Sequence, residues 1–460
     1  MSKDSSEKIT LFEKISYGFG AIGYNASFWW VSAFFAIYYT DTIAVPAGMV
    51  SLLLLVVRIW DAIDDPLIGS IADRTKTRWG RYRPWLVAAG IGLPFSIIAM
   101  FSAKAHWSTS AKVVWMFLWY FIVEIMSTCY DMPYSALHGA MSPKAKDRVS
   151  ISSIRLACSQ IGTQITGVFG IILVIALSNA GGLRTEHGYT SAVALICLLT
   201  MPFALWTPIK CKERVLPPPN QENIPLKGQF QTLLKNKPIW LVTFGMLAFG
   251  FIGYGRSSMM IYYCAYVAGN AAYMSIFSLV NMFGSLSGAI FIMPFLYSKI
   301  RNKGKVAGLA MLTCFALCVV IYFVPPCGIA FWIITFLTGA SMGTFSSTQY
   351  SMLGDAVDYG EYKVGLRCDG FLSSFTSTAV KLGGAISPSL GLALIAKANY
   401  IPNAVQSAEV QKIMNMCISF IPAISVLIPA ICYLTFYKLD EKSHEEVRKE
   451  LERRRETKEV

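Results

Sequence analysis

The chain has 460 residues, of which 54% are hydrophobic and only 15% are charged, and its mean hydropathy is +0.49. Soluble domains carry about 25% charged residues, whereas residues 188–209, 306–354 and 413–437 contain none. Such stretches can cross a hydrocarbon core, which needs about 20 apolar residues. Soluble enzymes, disordered chains and nucleic-acid-binding proteins are therefore excluded. The net charge of +13 is typical of a polytopic membrane protein.

Twelve apolar segments are predicted to span the membrane as helices. They lie at residues 17–39, 46–71, 85–103, 113–141, 149–177, 189–206, 238–267, 271–297, 306–323, 328–354, 370–396 and 413–436. One set of connections carries twenty Lys and Arg residues, and the alternate set carries five: Lys104, Lys112, Arg184, Lys397 and Lys412. This asymmetry places the first set in the cytoplasm. Both termini are then cytoplasmic, in a multi-pass protein of the plasma (inner) membrane.

The connection at residues 207–237 divides the chain into two parts. It contains the run Pro217-Pro218-Pro219, which cannot continue a helix and predicts an extended cytoplasmic linker. Residues 1–206 and 238–437 then form two six-helix halves, and residues 438–460 form a charged tail that is predicted to be a solvated amphiphilic helix. This layout predicts an all-α membrane protein of the major facilitator fold. Another twelve-span carrier is the alternative.

Span 2 carries an unusual group of charges in an apolar segment. Arg58, Asp61 and Asp65 share one helix face, and Asp64 lies on its flank. Two close carboxylates repel each other unless a proton or a cation lies between them. The pattern predicts a coupling-ion site, and the alternative is a structural pair in which Arg58 neutralises Asp61.

Span 4 contains Thr128, Asp131 and Pro133 within two helical turns. A helical proline frees the carbonyl one turn earlier, near Cys129. A carbonyl, a hydroxyl and a carboxylate are hard oxygen ligands that suit either an alkali cation or sugar hydroxyls. A structural kink is the alternative.

Three bases lie in other spans: Arg155 in span 5, Arg256 in span 7 and Lys381 in span 11. Each could pair with an acid or bind substrate, because a charge in a span is costly and usually functional. Small residues after Lys381, Gly383 and Gly384, permit close helix approach.

The eleven cysteines do not suggest a disulfide framework. Most of them lie inside apolar runs, where cysteine acts as a small packing residue. No metal site is expected, because the sequence has neither a Cys-x-x-Cys pair nor a His/Cys cluster with metal-ligand spacing. Without a nucleophile–base constellation either, an enzyme is not expected.

Several long motifs resemble the glycoside–pentoside–hexuronide:cation symporters. They are residues 58–66 (Arg-Ile-Trp-Asp-Ala-Ile-Asp-Asp-Pro), 78–84 (Arg-Trp-Gly-Arg-Tyr-Arg-Pro), 130–134 (Tyr-Asp-Met-Pro-Tyr), 357–363 and 380–384. The match keeps the family's motif order from about residue 16 to 437. The resemblance implies uptake of a sugar together with Na⁺, Li⁺ or H⁺ by alternating access.

The resemblance also implies roles for individual residues. It places the cation at Asp61 and Asp65, helped by Thr128 and Asp64, and the sugar at Asp131, Arg155 and Lys381. This chain has Tyr24-Asn25 where the family's galactoside carrier has a Lys-Asp pair, Ser135 where it has a tryptophan, and Asp64 where it has an asparagine. A galactoside is therefore disfavoured. An extra acid at position 64 favours H⁺, and Arg155 and Arg256 suit an anionic sugar.

Two cytoplasmic segments interleave acids and bases. Charge pairs within residues 73–83 and 355–367 are predicted to hold the outward-open state, and the alternative is plain positive-inside topology. The gating candidates are Asp73, Arg74, Arg78, Asp355, Asp358, Glu361 and Arg367.

The predicted partners are a sugar or glycoside, Na⁺ or H⁺ as the coupling ion, and membrane lipids, with no nucleic acid and no further cofactor. A monomer is expected. An amphiphile such as a lysolipid, or an anionic sulfosugar, is the alternative cargo on the same fold. A channel or a non-transporting sensor is the alternative from another class, but a channel does not need buried bases near acids and a sensor needs an output domain.

Overall fold

The computed structural model describes residues 9–142, 145–178, 185–214, 226–366, 369–437 and 441–456. The described residues are almost entirely helical. Helices α1 to α7 are Leu11–Ile37, Ala47–Arg74, Arg83–Met100, Thr109–Met141, Ala145–Leu177, Glu186–Lys210 and Leu226–Lys235. Helices α8 to α16 are Lys237–Tyr262, Tyr273–Ser287, Met293–Ile300, Lys303–Ile321, Ile329–Val364, Asp369–Lys397, Ala408–Ile418, Phe420–Phe436 and Glu441–Glu456. One π-helical turn follows each of α1, α8 and α9.

Ten helices within the described residues are long and apolar enough to cross a membrane. They begin at the segment Arg83–Met100 and end at Ala408–Phe436, which joins α14 and α15. Helices α1 and α2, of 27 and 28 residues, occupy the first two predicted spans but are not among the ten. Within the described residues of α2, Ala47–Val57 forms a shorter apolar helix just before the charged motif. The all-helical membrane fold is confirmed, and the count of twelve spans stays a prediction.

The chain forms two compact units. The first contains residues 1–221 with 274–278 and 400–405, and the second contains residues 222–273, 279–399 and 406–460. In the first unit α1 packs between α5 and α6, and two glycines bring the backbones together. A Cβ at Gly23 would lie 2.5 Å from the Ala204 nitrogen, and one at Gly162 would lie 2.5 Å from the Ile22 carbonyl oxygen. Small residues at such crossings allow the van der Waals contact that associates helices in lipid.

The second unit has its closest helix crossing between α8 and α13. A Cβ at Gly250 would lie 2.0 Å from the Val380 carbonyl oxygen, and one at Gly383 would lie 2.0 Å from the Leu247 carbonyl oxygen. The small residues around Lys381 therefore do bring two backbones into contact.

The connections predicted to be cytoplasmic are more helical than the sequence analysis expected. Helix α12 continues past the predicted end of span 10 to Val364, so Asp355, Asp358 and Glu361 lie on a helix and not in a loop. The helix stops only at Gly365, whose φ of 76° is a left-handed conformation that favours glycine.

The linker also differs from the expected extended segment. Residues 226–235 form α7, and the Asn236 side-chain amide after it donates to the Ala356 carbonyl oxygen at 2.7 Å. The proline run at 217–219 lies outside the described residues. The tail forms α16, which packs on α12 and buries Val447 and Leu451, so one face of this predicted solvated helix is covered.

The α8–α13 crossing predicts different effects for two glycines on one helix. Gly250→Ala should lower the apparent melting midpoint, since its Cβ meets a backbone carbonyl and overpacking costs about 1–3 kcal/mol. Gly253→Ala is the matched control, because nothing lies within 4 Å of its Cβ. Melting of both purified variants in detergent measures the difference. Equal midpoints would refute the close crossing.

Candidate functional site

A polar face runs along α4 in the first unit. Glu124, Thr128, Asp131 and Ser135 are spaced three or four residues apart, so their side chains lie in one row on the helix. Glu124 and Thr128 are only 4% and 5% exposed, the Asp131 side chain is 27% exposed, and Ser135 is exposed. The row therefore runs from a buried end to an accessible end.

Arg155 on α5 lies opposite the accessible end of this row. Its guanidinium donates from Nη2 to Asp131 Oδ1 at 3.3 Å and from Nη1 to Ser135 Oγ at 3.1 Å. It also hydrogen-bonds the Tyr17 hydroxyl, and its Cζ lies 4.8 Å from the centroid of the Tyr134 ring. The Arg155 side chain is 31% exposed. Since a charge facing lipid is strongly disfavoured, partial exposure of both charges indicates an aqueous face of this unit.

Stacked tyrosines hold this charge pair in place. The Tyr17 and Tyr134 rings stack with centroids 4.4 Å apart, and each hydroxyl donates to the other residue's carbonyl oxygen, at 2.8 and 2.6 Å. Tyr130 stacks on Tyr24 at 5.4 Å and donates to the Ala204 carbonyl oxygen. Helices α1, α4 and α6 are thus joined around the site.

Tyr24 and Asn25 lie on α1 beside this tyrosine group. The Tyr24 hydroxyl hydrogen-bonds Ser127 Oγ on α4 at 2.8 Å, whereas the Asn25 amide donates to the Ala21 carbonyl oxygen of its own helix at 2.9 Å. Tyr24 is therefore part of the α1–α4 contact. Asn25 is bonded within its own helix.

One acid of α2, Asp64, approaches the buried end of the α4 row. Asp64 is 4% exposed and lies close enough to Cys129, next to Thr128, for an electrostatic interaction. Helix α2 packs on α4. The side chains of Arg58, Asp61 and Asp65 lie outside the described part of the structure, so their predicted roles stay predictions.

The second unit holds the other two bases. Lys381 is half-buried on α13 beside the close crossing with α8. Arg256 is 4% exposed inside this unit, near Cys314 and Cys318 of α11 and the Tyr263 ring. The predicted substrate contact of Arg256 stays a prediction.

One gating candidate, Asp355, has a described ion-pair partner inside its own unit. Asp355 accepts two hydrogen bonds from Lys303 Nζ, at 2.6 and 2.9 Å. Asp358 and Glu361 are half-buried on the same helix, and Arg74 and Arg78 are exposed. The Asp73 side chain and the whole of Arg367 lie outside the described residues.

Sequence analysis missed two carboxylates that organise one edge of the first unit, where α3 begins and α6 ends. Glu213 accepts backbone hydrogen bonds from Arg81, Tyr82 and Arg83 at the start of α3, where a helix terminus leaves N–H groups free. Glu13 pairs with Arg214 through two contacts of 2.7 and 2.8 Å. No sequence motif identifies either residue, because their partners are distant in the chain.

The all-helical fold and the paired charges on an aqueous face define a multi-pass membrane transporter, not an enzyme. The sequence matches the family model described as "MFS/sugar transport protein" over residues 16–441. The chain belongs to this family of the major facilitator superfamily, among the glycoside–pentoside–hexuronide:cation symporters. The family prediction from the motifs is confirmed.

Similar proteins cover nearly the whole chain. An isoprimeverose transporter from Lactiplantibacillus pentosus is 28% identical over 436 residues, covering 93% of this chain and 88% of the relative. A glucuronide carrier protein homolog from Escherichia coli (strain K12) is 26% identical over 446 residues, covering 96% and 95%. A solved D-xylose–proton symporter has a TM-score of 0.63 at 13% identity, covering 93% of this chain and 98% of that chain. The last likeness concerns the fold alone.

The charge pair predicts a coupled response to mutation. Asp131→Asn and Arg155→Gln each leave one charge without its partner, so each should lower the melting midpoint. The double variant should be more stable than additivity predicts, by about 0.5–3 kcal/mol for groups in contact. Gln160→Ala, at an exposed position on the same helix, is the control.

Transport by the double variant separates two roles for this pair. A pair that only stabilises the unit should recover uptake together with stability. A pair that contacts substrate should recover stability while uptake stays lost, and this is the expected result.

Proposed function

We propose that this protein is a cation-coupled symporter that carries a glycoside or pentoside into the cell by alternating access. The single observation that carries the proposal is the Asp131–Arg155 pair on an accessible, aromatic-lined face of the first unit. Two relatives, the isoprimeverose transporter and the glucuronide carrier protein homolog, support a sugar glycoside as the cargo.

The sugar-binding part of the proposal follows from the donors and acceptors at the pair. Arg155 supplies N–H donors, Asp131 supplies carboxylate acceptors, and Ser135 supplies a hydroxyl. A sugar ring presents hydroxyls that both donate and accept, so it can use all three groups. We assign substrate contacts to these residues and to Tyr24 and Asn25 of α1. We separately assign a substrate contact to Lys381 of the second unit.

The charge balance of the site favours a neutral sugar over an anionic one. Arg155 is already paired with Asp131, and Arg256 is buried among cysteines of its own unit. Neither base is left as a dedicated partner for a carboxylate or sulfonate. A hexuronide, a sulfosugar or a lysolipid is therefore the second cargo class to test.

The coupling-ion part of the proposal uses the buried end of the α4 row. Asp64 and Thr128 are both buried, α2 packs on α4, and Asp64 acts electrostatically on Cys129, the neighbour of Thr128. Asp61 and Asp65 come from the same helix as Asp64. Carboxylate and hydroxyl oxygens are the ligands of a hard cation, and closely spaced carboxylates also hold a proton. We assign Na⁺ or H⁺ to this group.

Membrane orientation and gating complete the proposal. Twelve spans in the plasma membrane with both termini cytoplasmic satisfy the loop charges. Conformational exchange is assigned to the cytoplasmic charges Asp73, Arg74, Arg78, Asp355, Asp358, Glu361 and Arg367, to which the structure adds Lys303 as the partner of Asp355. A monomer suffices for this mechanism.

Uptake by proteoliposomes tests the cargo. Labelled isoprimeverose, a neutral xyloside, a glucuronide and a lysolipid are compared, each with a Na⁺ gradient, a proton gradient or neither. Uphill accumulation of a neutral glycoside with one gradient is the expected outcome, and Arg155→Gln should abolish it. Accumulation of lysolipid alone would overturn the sugar assignment.

Asp61→Cys tests the ion site separately from the sugar site. The variant should lose gradient-driven uptake but keep some sugar binding, which is measured as a thermal shift. A ligand at 100 times its Kd stabilises by about 2.7 kcal/mol, so binding is visible. Ser51→Cys, on the same helix before the charged motif, is the control. Normal active uptake by Asp61→Cys would remove this residue from the ion site.

Asp355→Ala tests the gating role. The variant should change the accessibility of single cysteines placed on the two sides of the membrane, and Lys303→Ala should cause the same change because it removes the same ion pair. Lys305→Ala, two residues away, serves as the control. If neither Asp355→Ala nor Lys303→Ala changes the accessibility of these cysteines, the two charges serve membrane topology and not gating.

A further inference from the structure

We propose that Cys264 and Cys327 form a disulfide at the extracytoplasmic end of the second unit. Cys264 lies in the π-helical turn after α8, and Cys327 lies in the connection between α11 and α12. Their thiols hydrogen-bond each other directly. The sequence analysis expected no disulfide framework, because most cysteines, Cys264 among them, lie in apolar runs.

The backbone at Cys327 is the second observation. Residues 325–328 form a turn in which the Gly328 N–H donates to the Pro325 carbonyl oxygen at 3.3 Å, and Cys327 has a φ of 52°. A left-handed conformation at this turn position favours glycine or asparagine. The turn therefore does not explain why position 327 holds a cysteine. Contact of its thiol with the Cys264 thiol does explain it.

Packing holds the two segments together within one unit. The Tyr263 ring, next to Cys264, stacks on Phe331 near the start of α12 with centroids 5.7 Å apart and planes 8° apart. The Asn270 N–H donates to the Cys264 carbonyl oxygen at 2.9 Å. Cys264 is buried, Cys327 is half-buried, and both belong to the second unit. The thiol contact therefore lies inside a compact body.

The two cysteines share one side of the membrane in the proposed topology. Helix α8 starts after the basic linker and α11 starts at Lys303, so both helices end on the opposite, extracytoplasmic side. Disulfides persist in that compartment, whereas the cytosol keeps thiols reduced. This step depends on the proposed orientation and not on the proposed cargo.

The chemistry is thiol–disulfide exchange with an external disulfide, such as oxidised glutathione or a disulfide oxidoreductase. The Cys327 thiolate attacks one sulfur of that disulfide, releases the first thiol and forms a mixed disulfide. Cys264 then loses its proton, attacks the Cys327 sulfur and releases the second thiol. Two protein thiols are oxidised and one external disulfide is reduced. The hydrogen bond from Cys264 lowers the pKa of the Cys327 thiol, which increases the fraction of attacking thiolate.

The pair Cys314 and Cys318 provides an internal control. Their thiols also interact, but both residues are fully buried within α11 in a membrane-spanning segment. A water-soluble oxidant does not reach such a site, so this pair should stay reduced.

Mass spectrometry of the full-length protein tests the proposal. Cells are treated with membrane-permeant N-ethylmaleimide before lysis, and the purified protein is digested without reductant. The expected result is a peptide cross-linked through Cys264 and Cys327, with Cys314 and Cys318 alkylated or free. Alkylation of both Cys264 and Cys327, with no cross-link after exposure to oxidised glutathione, would overturn the proposal. A mixed pairing of either residue with another cysteine would overturn it as well.

Melting supplies an independent measurement. Reduction should lower the melting midpoint of the wild-type protein, because a disulfide restricts the unfolded chain. Cys327→Gly retains a residue that suits the turn but removes the bridge, so its midpoint should not respond to reductant. Cys314→Ser should respond as the wild type does. An equal response of Cys327→Gly and wild type to reductant would contradict the bridge.

Discussion

The cost of a charge inside the hydrocarbon core is the constraint on which the site depends. It amounts to at least about 2.5–3.5 kcal/mol for an acid or base at the centre of a spanning helix. Arg155 meets this constraint with Asp131, Ser135, Tyr17 and the Tyr134 ring together. Arg155 is costly to place in a membrane span, has several partners and is still partly exposed. Stability alone therefore explains this residue poorly. Replacement of a buried ion pair by apolar groups is often neutral or stabilising.

Helix packing supplies the rigidity that this pair needs. Gly23 and Gly162 remove the side chains that would separate α1 from α6 and α5, so the helices of the site meet backbone to backbone. The reciprocal hydrogen bonds between Tyr17 and Tyr134 then fix α1 against α4. A binding group contributes more to affinity when packing already holds it in its bound position, because less conformational entropy is lost when the ligand binds. The aromatic residues of this unit are therefore part of the site's construction.

The sequence predicted the helices and the types of residue in the site, but not most of the contacts between side chains. The hydropathy pattern and the motifs gave the helical fold, and the cost of buried charge singled out Asp131 and Arg155. Their mutual contact, across α4 and α5, depends on helix rotation, which a single sequence leaves open. Lys303 was counted only as loop charge, although it is the partner of Asp355. The extension of α12 through Asp355 to Val364 was missed because polar residues were taken as the sign of a loop.

In the proposed function, coupling between ion and sugar follows from the row of polar residues on α4. Thr128 and Asp131 are three residues apart on one helix, so a change in charge near Asp64 and Thr128 acts on Asp131 over less than one turn. A cation at the buried end reduces the negative potential felt by Asp131 and alters the balance of its pairing with Arg155. The sugar competes for that same pairing. By thermodynamic linkage the effect is reciprocal, so a sugar that binds better with the ion present also makes the ion bind better.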